Sequence, residues 1–185
     1  MTGDIKDNIL KEARRIEEDS LCSAKGHFVV ANFWMNFHLW IGVPTAILAA
    51  IAGASALSQF DNHNIIAGIL AIVVTALTAV TTFLNPNEKA NSHQNAGNKF
   101  ISLRNKARIF CEIDCCEEDS DQELAKQLKE LAKQRDELNQ DSPLIPIRAY
   151  KKARKGIEEG EAEYKVDAGN VIEHEPLPLR KRKNE

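Results

Sequence analysis

From Trp40 to Leu57, and again from Ile65 to Leu84, the chain carries no charged side chain. No other feature of the sequence narrows its possible folds as far. An α-helix rises about 1.5 Å per residue, so roughly 20 apolar residues cross a hydrocarbon core of about 30 Å. Both runs fit that length, and Phe37 and Leu39 extend the first one upstream. Trp34 and Trp40 stand where indole rings gather at a membrane interface. A surface helix of a soluble protein would show ionisable residues every few positions. A chain of 185 residues also holds too little other apolar material to wrap two such helices. The expected fold is therefore an all-α membrane protein with a transmembrane hairpin over 39–84, its spans at about 39–58 and 65–84.

The averages hide this partition. A charged fraction of 28% and a mean hydropathy of −0.34 describe an ordinary soluble protein. Met1 to Ser20 is rich in acids and bases and lacks the early apolar core of a secretory signal, so the apolar segments are expected to stay in the chain as anchors. A net charge of −3 provides no pull toward nucleic acid, and no direct nucleic-acid binding is expected.

Between the spans, Gln59-Phe60-Asp61-Asn62-His63-Asn64 contains no Lys or Arg. Lys6, Lys11, Arg14, Arg15 and Lys25 lie upstream, and Lys89, Lys99, Arg104, Lys106 and Arg108 downstream. Positive residues favour the cytoplasmic side, which places both termini there and the short loop outside.

Helical spacing continues on both sides of the hairpin. Residues 1–38 form an N-terminal cytoplasmic helix, with Ile5, Ile9, Ala13 and Ile16 on one stripe. Residues 85–167 form a cytoplasmic helical region. Asn85-Pro86-Asn87-Glu88 and Ser120-Asp121-Gln122-Glu123 both read as capped helix starts. Three stripes follow: Ala96, Phe100, Leu103, Ala107 and Phe110; then Leu124, Leu128, Leu131 and Leu138, interrupted by Arg135; then Ile147, Tyr150, Ala153, Ile157 and Tyr164. They suit a helical bundle or a coiled-coil contact, within one chain or between copies. The tail, 168–185, is expected to be disordered; its Arg180-Lys181-Arg182-Lys183 is read as a solvated end in preference to a contact with anionic lipid.

Residues that carry chemistry are sparse. Cys22, Cys111, Cys115 and Cys116 lack the paired short spacings of a structural zinc site and read as free thiols. His27, His38, His63, His93 and His174 are scattered, with His93 beside Glu88 and Lys89 or on a solvated polar face. With no Walker loop, dinucleotide fingerprint or triad, no catalytic residue, cofactor or metal is expected, and the chain is not expected to be an enzyme.

The spans are more informative. Gly42, Ala46, Ala50, Ala54 and Ser58 recur every fourth residue, a spacing of small residues that lets helix backbones approach in lipid. This seam faces either the second span, where Gly68 is also small, or another copy. Gly68, Ala71, Thr75, Thr78 and Thr82 form a stripe on the second span. Its hydroxyls either bond back to carbonyls in a packed contact or, in an oligomer, line a water-filled path. Thr75, Thr78 and Thr82 are the candidate pore-lining residues. No Asp, Glu, Lys, Arg or His lies at depth in either span, which argues against a proton relay.

Taken together, the hairpin, Asn95-Ala96-Gly97-Asn98-Lys99-Phe100-Ile101-Ser102-Leu103-Arg104 with His93 just before it, and the stretch from Pro143 to Tyr164 resemble the SLATT family of two-transmembrane bacterial defence effectors. That resemblance implies a pore-forming or membrane-disrupting effector of the bacterial inner membrane, acting in abortive infection against phage. It also implies partners beyond the bilayer and further copies of the chain: a nucleotide-signalling enzyme or sensor encoded nearby. The alternative is a structural membrane adaptor that anchors partners through its cytoplasmic helices.

Overall fold

The computed structural model describes residues 2–58, 62–117, 120–162 and 164. The expected disordered tail, 168–185, and most of the loop between the spans lie outside those residues. Among the described residues there are six α-helices and one π-helical segment: α1 (Thr2–Ala56), α2 (His63–Leu84), α3 (Pro86–Ile109), the π-segment (Phe110–Asp114), the single turn α4 (Cys115–Glu117), α5 (Asp121–Asp141) and α6 (Ile147–Glu158).

The N-terminal helix and the first span are one helix of 55 residues. No proline stands between Ile16 and Leu39, the one glycine there, Gly26, is buried within the helix, and Phe33, Trp34 and Phe37 pack on one another across the region where the two meet. Pro44 lies inside α1. A proline removes a backbone donor, and nearby hydroxyls relieve the loss inside a membrane. Here the Thr45 hydroxyl donates to the Ile41 carbonyl at 2.7 Å, one residue on from the Trp40 carbonyl that Pro44 leaves without an amide donor.

Helix α2 has 22 residues, about 33 Å of helix, enough to cross the hydrocarbon once. It packs against α1. The half-buried positions include Ala67, Leu70, Val74, Leu77 and Thr81 on α2, and Ile41, Thr45, Leu48 and Ala52 on α1, with Ser55 buried. Both rows alternate steps of three and four, the period of a left-handed helix pair.

Asn85 separates α2 from α3 in a left-handed conformation with φ 43°. Its amide closes α2 by donating to the Thr81 carbonyl, and Pro86 occupies the first turn of α3. The expected capping box forms differently: the Asn85 side chain makes no bond to the α3 amides and instead donates to the Glu88 carboxylate. The left-handed backbone directs the amide group away from the helix end. At Ser120 the expected cap is present, with the Glu123 amide donating to Oγ at 3.5 Å.

The core of the helical bundle beyond the hairpin lies within the single chain. Ile9, Ala13 and Ile16 of α1 meet Leu103 and Ala107 of α3, Phe110, and Leu124 and Leu131 of α5, with Leu128 and Leu138 packed at its margin. Ile5, expected on the same stripe, is 52% exposed.

Helix α6 departs from expectation. Its buried face is Ala149, Ala153 and Gly156, while Ile147, Tyr150 and Tyr164 are exposed and Tyr164 lies beyond the helix. The segment leading into α6 also approaches α1 closely, at Gly26. A Cβ on Gly26 would stand 3.0 Å from the Ile145 side chain. A second close approach joins α1 and α3: a Cβ on Gly97 would stand 2.6 Å from the Phe28 ring.

Candidate functional site

Two surfaces carry the functional argument, the outer faces of the hairpin and the seam between α1 and α3. The most apolar windows of the two helices that form the hairpin have mean hydropathies of 1.7 and 2.3, with 11% and 0% of their residues buried. Helices at the centre of a soluble core would be covered by the rest of the chain. These are not, so their apolar surface belongs in lipid.

Thr75, Thr78 and Thr82 are all exposed, on a stripe with Gly68 and Ala71 that flanks the α1 contact rather than joining it. The Thr75 hydroxyl bonds back to the Ala71 carbonyl at 2.8 Å. Thr81 is the threonine that turns toward α1, and its hydroxyl donates to the Leu77 and Thr78 carbonyls. On α1, Ala46, Ala50 and Ala54 are exposed and Gly42 is half-buried. A Cβ on Gly42 or Gly68 would meet nothing within 4 Å. The intramolecular seam thus runs through Ile41, Thr45, Leu48, Ala52 and Ser55, leaving the small-residue and threonine stripes outward.

The seam between α1 and α3 holds a histidine pair. His27 and His93, 66 positions apart, bring their Nδ1 atoms to 2.9 Å with both residues buried. The Phe100 ring stacks on His27 at 5.6 Å between centroids. Neither Glu88 and Lys89 nor a solvated face, the surroundings expected for His93, is what it meets; its spacing to Ala90, Ala96 and Phe100 carries it inside with the core stripe. Burial, then the charge of a protonated His93, pushes His27 down to about 4, and burial lowers His93 as well. Both rings are neutral at pH 7, one donating its Nδ1–H to the other.

Around this pair the charges are mostly matched. Arg104 lies 3.9 Å from Glu17 in a largely buried pair, donates to the Tyr164 hydroxyl at 3.2 Å, and shares the Tyr164 ring with Arg108. Toward the membrane, the Lys89 ammonium sits over the Trp34 ring at 4.5 Å. A cavity of about 220 Å³ opens near Asp19, Cys22, Arg135 and Tyr150. Arg135 is already paired there with Asp136 at 3.2 Å and Asp19 at 3.9 Å.

Among the described residues no group of three or more His, Cys, Asp or Glu side chains converges as a metal site would. Cys111 and Cys115 are buried and Cys116 is exposed. Burial pushes the Cys111 thiol up to about 11 and raises Cys115 and Cys22. Since the thiolate is the reactive form, brief maleimide treatment of the folded protein at pH 7.5 should label Cys116 at least about tenfold faster than Cys111. Peptide mass spectrometry reads the ratio, and equal rates would contradict this burial.

Among the described residues the arrangement is a lipid-facing hairpin with two stripes that the intramolecular contact leaves unused, continuous with a helical bundle. No curated protein and no solved structure matches the chain. A family model does match, over residues 13–168: the SMODS and SLOG-associating 2TM effector domain, family 4. The match takes in most of the helical bundle, both spans and α6, so this chain is an all-α, two-transmembrane-helix protein belonging to family 4 of the SMODS and SLOG-associating 2TM effector domains.

Proposed function

We propose that this protein is a homo-oligomeric effector of the bacterial inner membrane, which forms a pore or disrupts the bilayer in abortive defence against phage. One observation carries the reading. Thr75, Thr78 and Thr82 form a polar, uncharged stripe that the chain's own helix contact leaves free. In a bilayer such a stripe gains from facing its counterpart in another copy, around water or against other hydroxyls. Ala46, Ala50 and Ala54, on a different face of α1, supply the close approach between copies.

Both termini lie in the cytoplasm under this reading, as the absence of Lys and Arg between the spans favours. The cytoplasmic bundle then holds the spans closed. A nucleotide-signalling enzyme or sensor encoded nearby is the proposed partner, and it opens them only by binding the two states with different affinity.

Leakage of ions and dye from liposomes holding the purified protein tests this, with and without lysate from infected bacteria. Leakage should appear, and should fall on the order of tenfold when Thr75 and Thr78 become Leu, or when Ala50→Leu blocks close approach. No leakage under either condition, with insertion verified, would replace the pore with the adaptor reading.

A further inference from the structure

Helix α6 lies across α1. Its Tyr150 flank shares a cavity with Asp19, Cys22 and Ser23. On the opposite flank, Pro146, Arg148 and Lys152 share a cavity of about 530 Å³ with Val29, Phe33 and Asn36. Ala149, Ala153 and Gly156 fill the contact between these flanks. One side of α6 therefore faces the N-terminal end of α1, and the other, bearing Arg148 and Lys152, faces the spans.

The level reached by that second flank is the membrane boundary. No charged residue occurs between Lys25 and Asp61. Trp34 meets Lys89 close to the end of α2, and α1 exposes apolar side chains from Phe33 onward. The headgroup layer adds about 5–8 Å outside the hydrocarbon, or about four or five residues of helix, which places it beside Phe33 to Phe37.

The composition of this segment matches that level. From Ser142 to Ile157 there is no acidic residue. Arg154 and Lys155 are paired with Glu158 and Glu159. Arg148, Lys151 and Lys152 are exposed; the Glu161 carboxylate, hydrogen-bonded to Lys25, acts on Lys152 only at longer range. Leu144 and Ile147, at the entry to α6, are 93% and 74% exposed. Apolar side chains, exposed cations and continuity with a lipid-facing helix are the properties of an interfacial element.

We propose that this flank of α6 is a docking surface for anionic phospholipid of the adjoining leaflet. Arg148 and Lys152 hold the headgroup phosphate, and the wall of Val29, Phe33 and Pro146 receives the first part of an acyl chain. Leu144 and Ile147 add apolar area at the same boundary. Membrane placement of the hairpin is all that this requires, and it stands whether or not the spans form a pore.

Hydrogen exchange of the full-length protein in nanodiscs tests the assignment, comparing phosphatidylcholine alone with a mixture containing about one-third phosphatidylglycerol. Amides of 144–158 should exchange about tenfold more slowly in the anionic discs, and Arg148→Gln with Lys152→Gln should abolish the difference. Amides of α5 serve as the internal check that the variant is folded and should not change. Equal exchange in both lipids would overturn the proposal. So would full protection in phosphatidylcholine discs on adding inorganic phosphate, which would assign the site to a soluble anion.

Discussion

Phe100→Ala should lower the stability of the helical bundle by about 3–5 kcal/mol, the usual loss when a fully buried aromatic ring is deleted. Phe100 is 2% exposed and stacks on His27, so its removal leaves a cavity between α1 and α3 beside the histidine pair. The hairpin itself is untouched, because Phe100 lies below both spans. Thermal melting in detergent, followed by tryptophan fluorescence, suits this variant because Trp34 sits under Lys89 where α1 and α3 meet. A fall in Tm of about 10 °C is expected for a chain of this size. A change within about 2 °C would show that the seam is held elsewhere.

Acid should loosen the same seam. His27 is held down to about 4 by burial and by His93, and His93 is lowered too. An unfolded histidine takes its proton near pH 6.5, so between that value and about 4 the unfolded chain binds more protons than the folded one. Stability is therefore complete above about pH 6.5 and is lost as pH falls toward 4. For His27 alone the loss is on the order of 3 kcal/mol. The geometry gives the reason: a second Nδ1 proton would set two N–H groups against each other across 2.9 Å. Melting between pH 7.5 and 4.5 should show this decline, and the double variant His27→Gln, His93→Gln should flatten it. A decline that survives in the double variant would place the acid response in other groups.

Much of the architecture is legible in the order of residues alone. Absence of charge over a membrane's thickness locates both spans, since in lipid few other arrangements satisfy the backbone. Apolar stripes locate α3 and α5, because Ala96, Phe100, Leu103 and Ala107, like Leu124 and Leu131, are large or small in a pattern that needs little context. Helix α6 defeats that reading because hydrophobicity and close approach conflict there. Ile147 and Tyr150 are the larger apolar residues, but Ala149, Ala153 and Gly156 are the buried ones where α6 packs on α1. The histidine pair escapes for a similar reason. His27 continues the row Ile9, Ala13, Ile16, Ser20 and Ala24, and His93 continues the row of Ala90 and Ala96, all buried positions. Extending either row through a polar residue type places both rings inside, but their meeting depends on how α1 and α3 align, which no spacing along the chain encodes.

The unbroken course of α1 has a mechanical consequence. A helix interrupted at the membrane surface lets its two halves turn independently; a continuous one does not. Ala13 in the bundle and Ala50 in the bilayer lie on one axle, separated by about 55 Å of backbone without a joint between them except the proline at 44. Any event that rolls the N-terminal end of α1 against α3 must therefore reset the azimuth at which Ala46, Ala50 and Ala54 face the lipid.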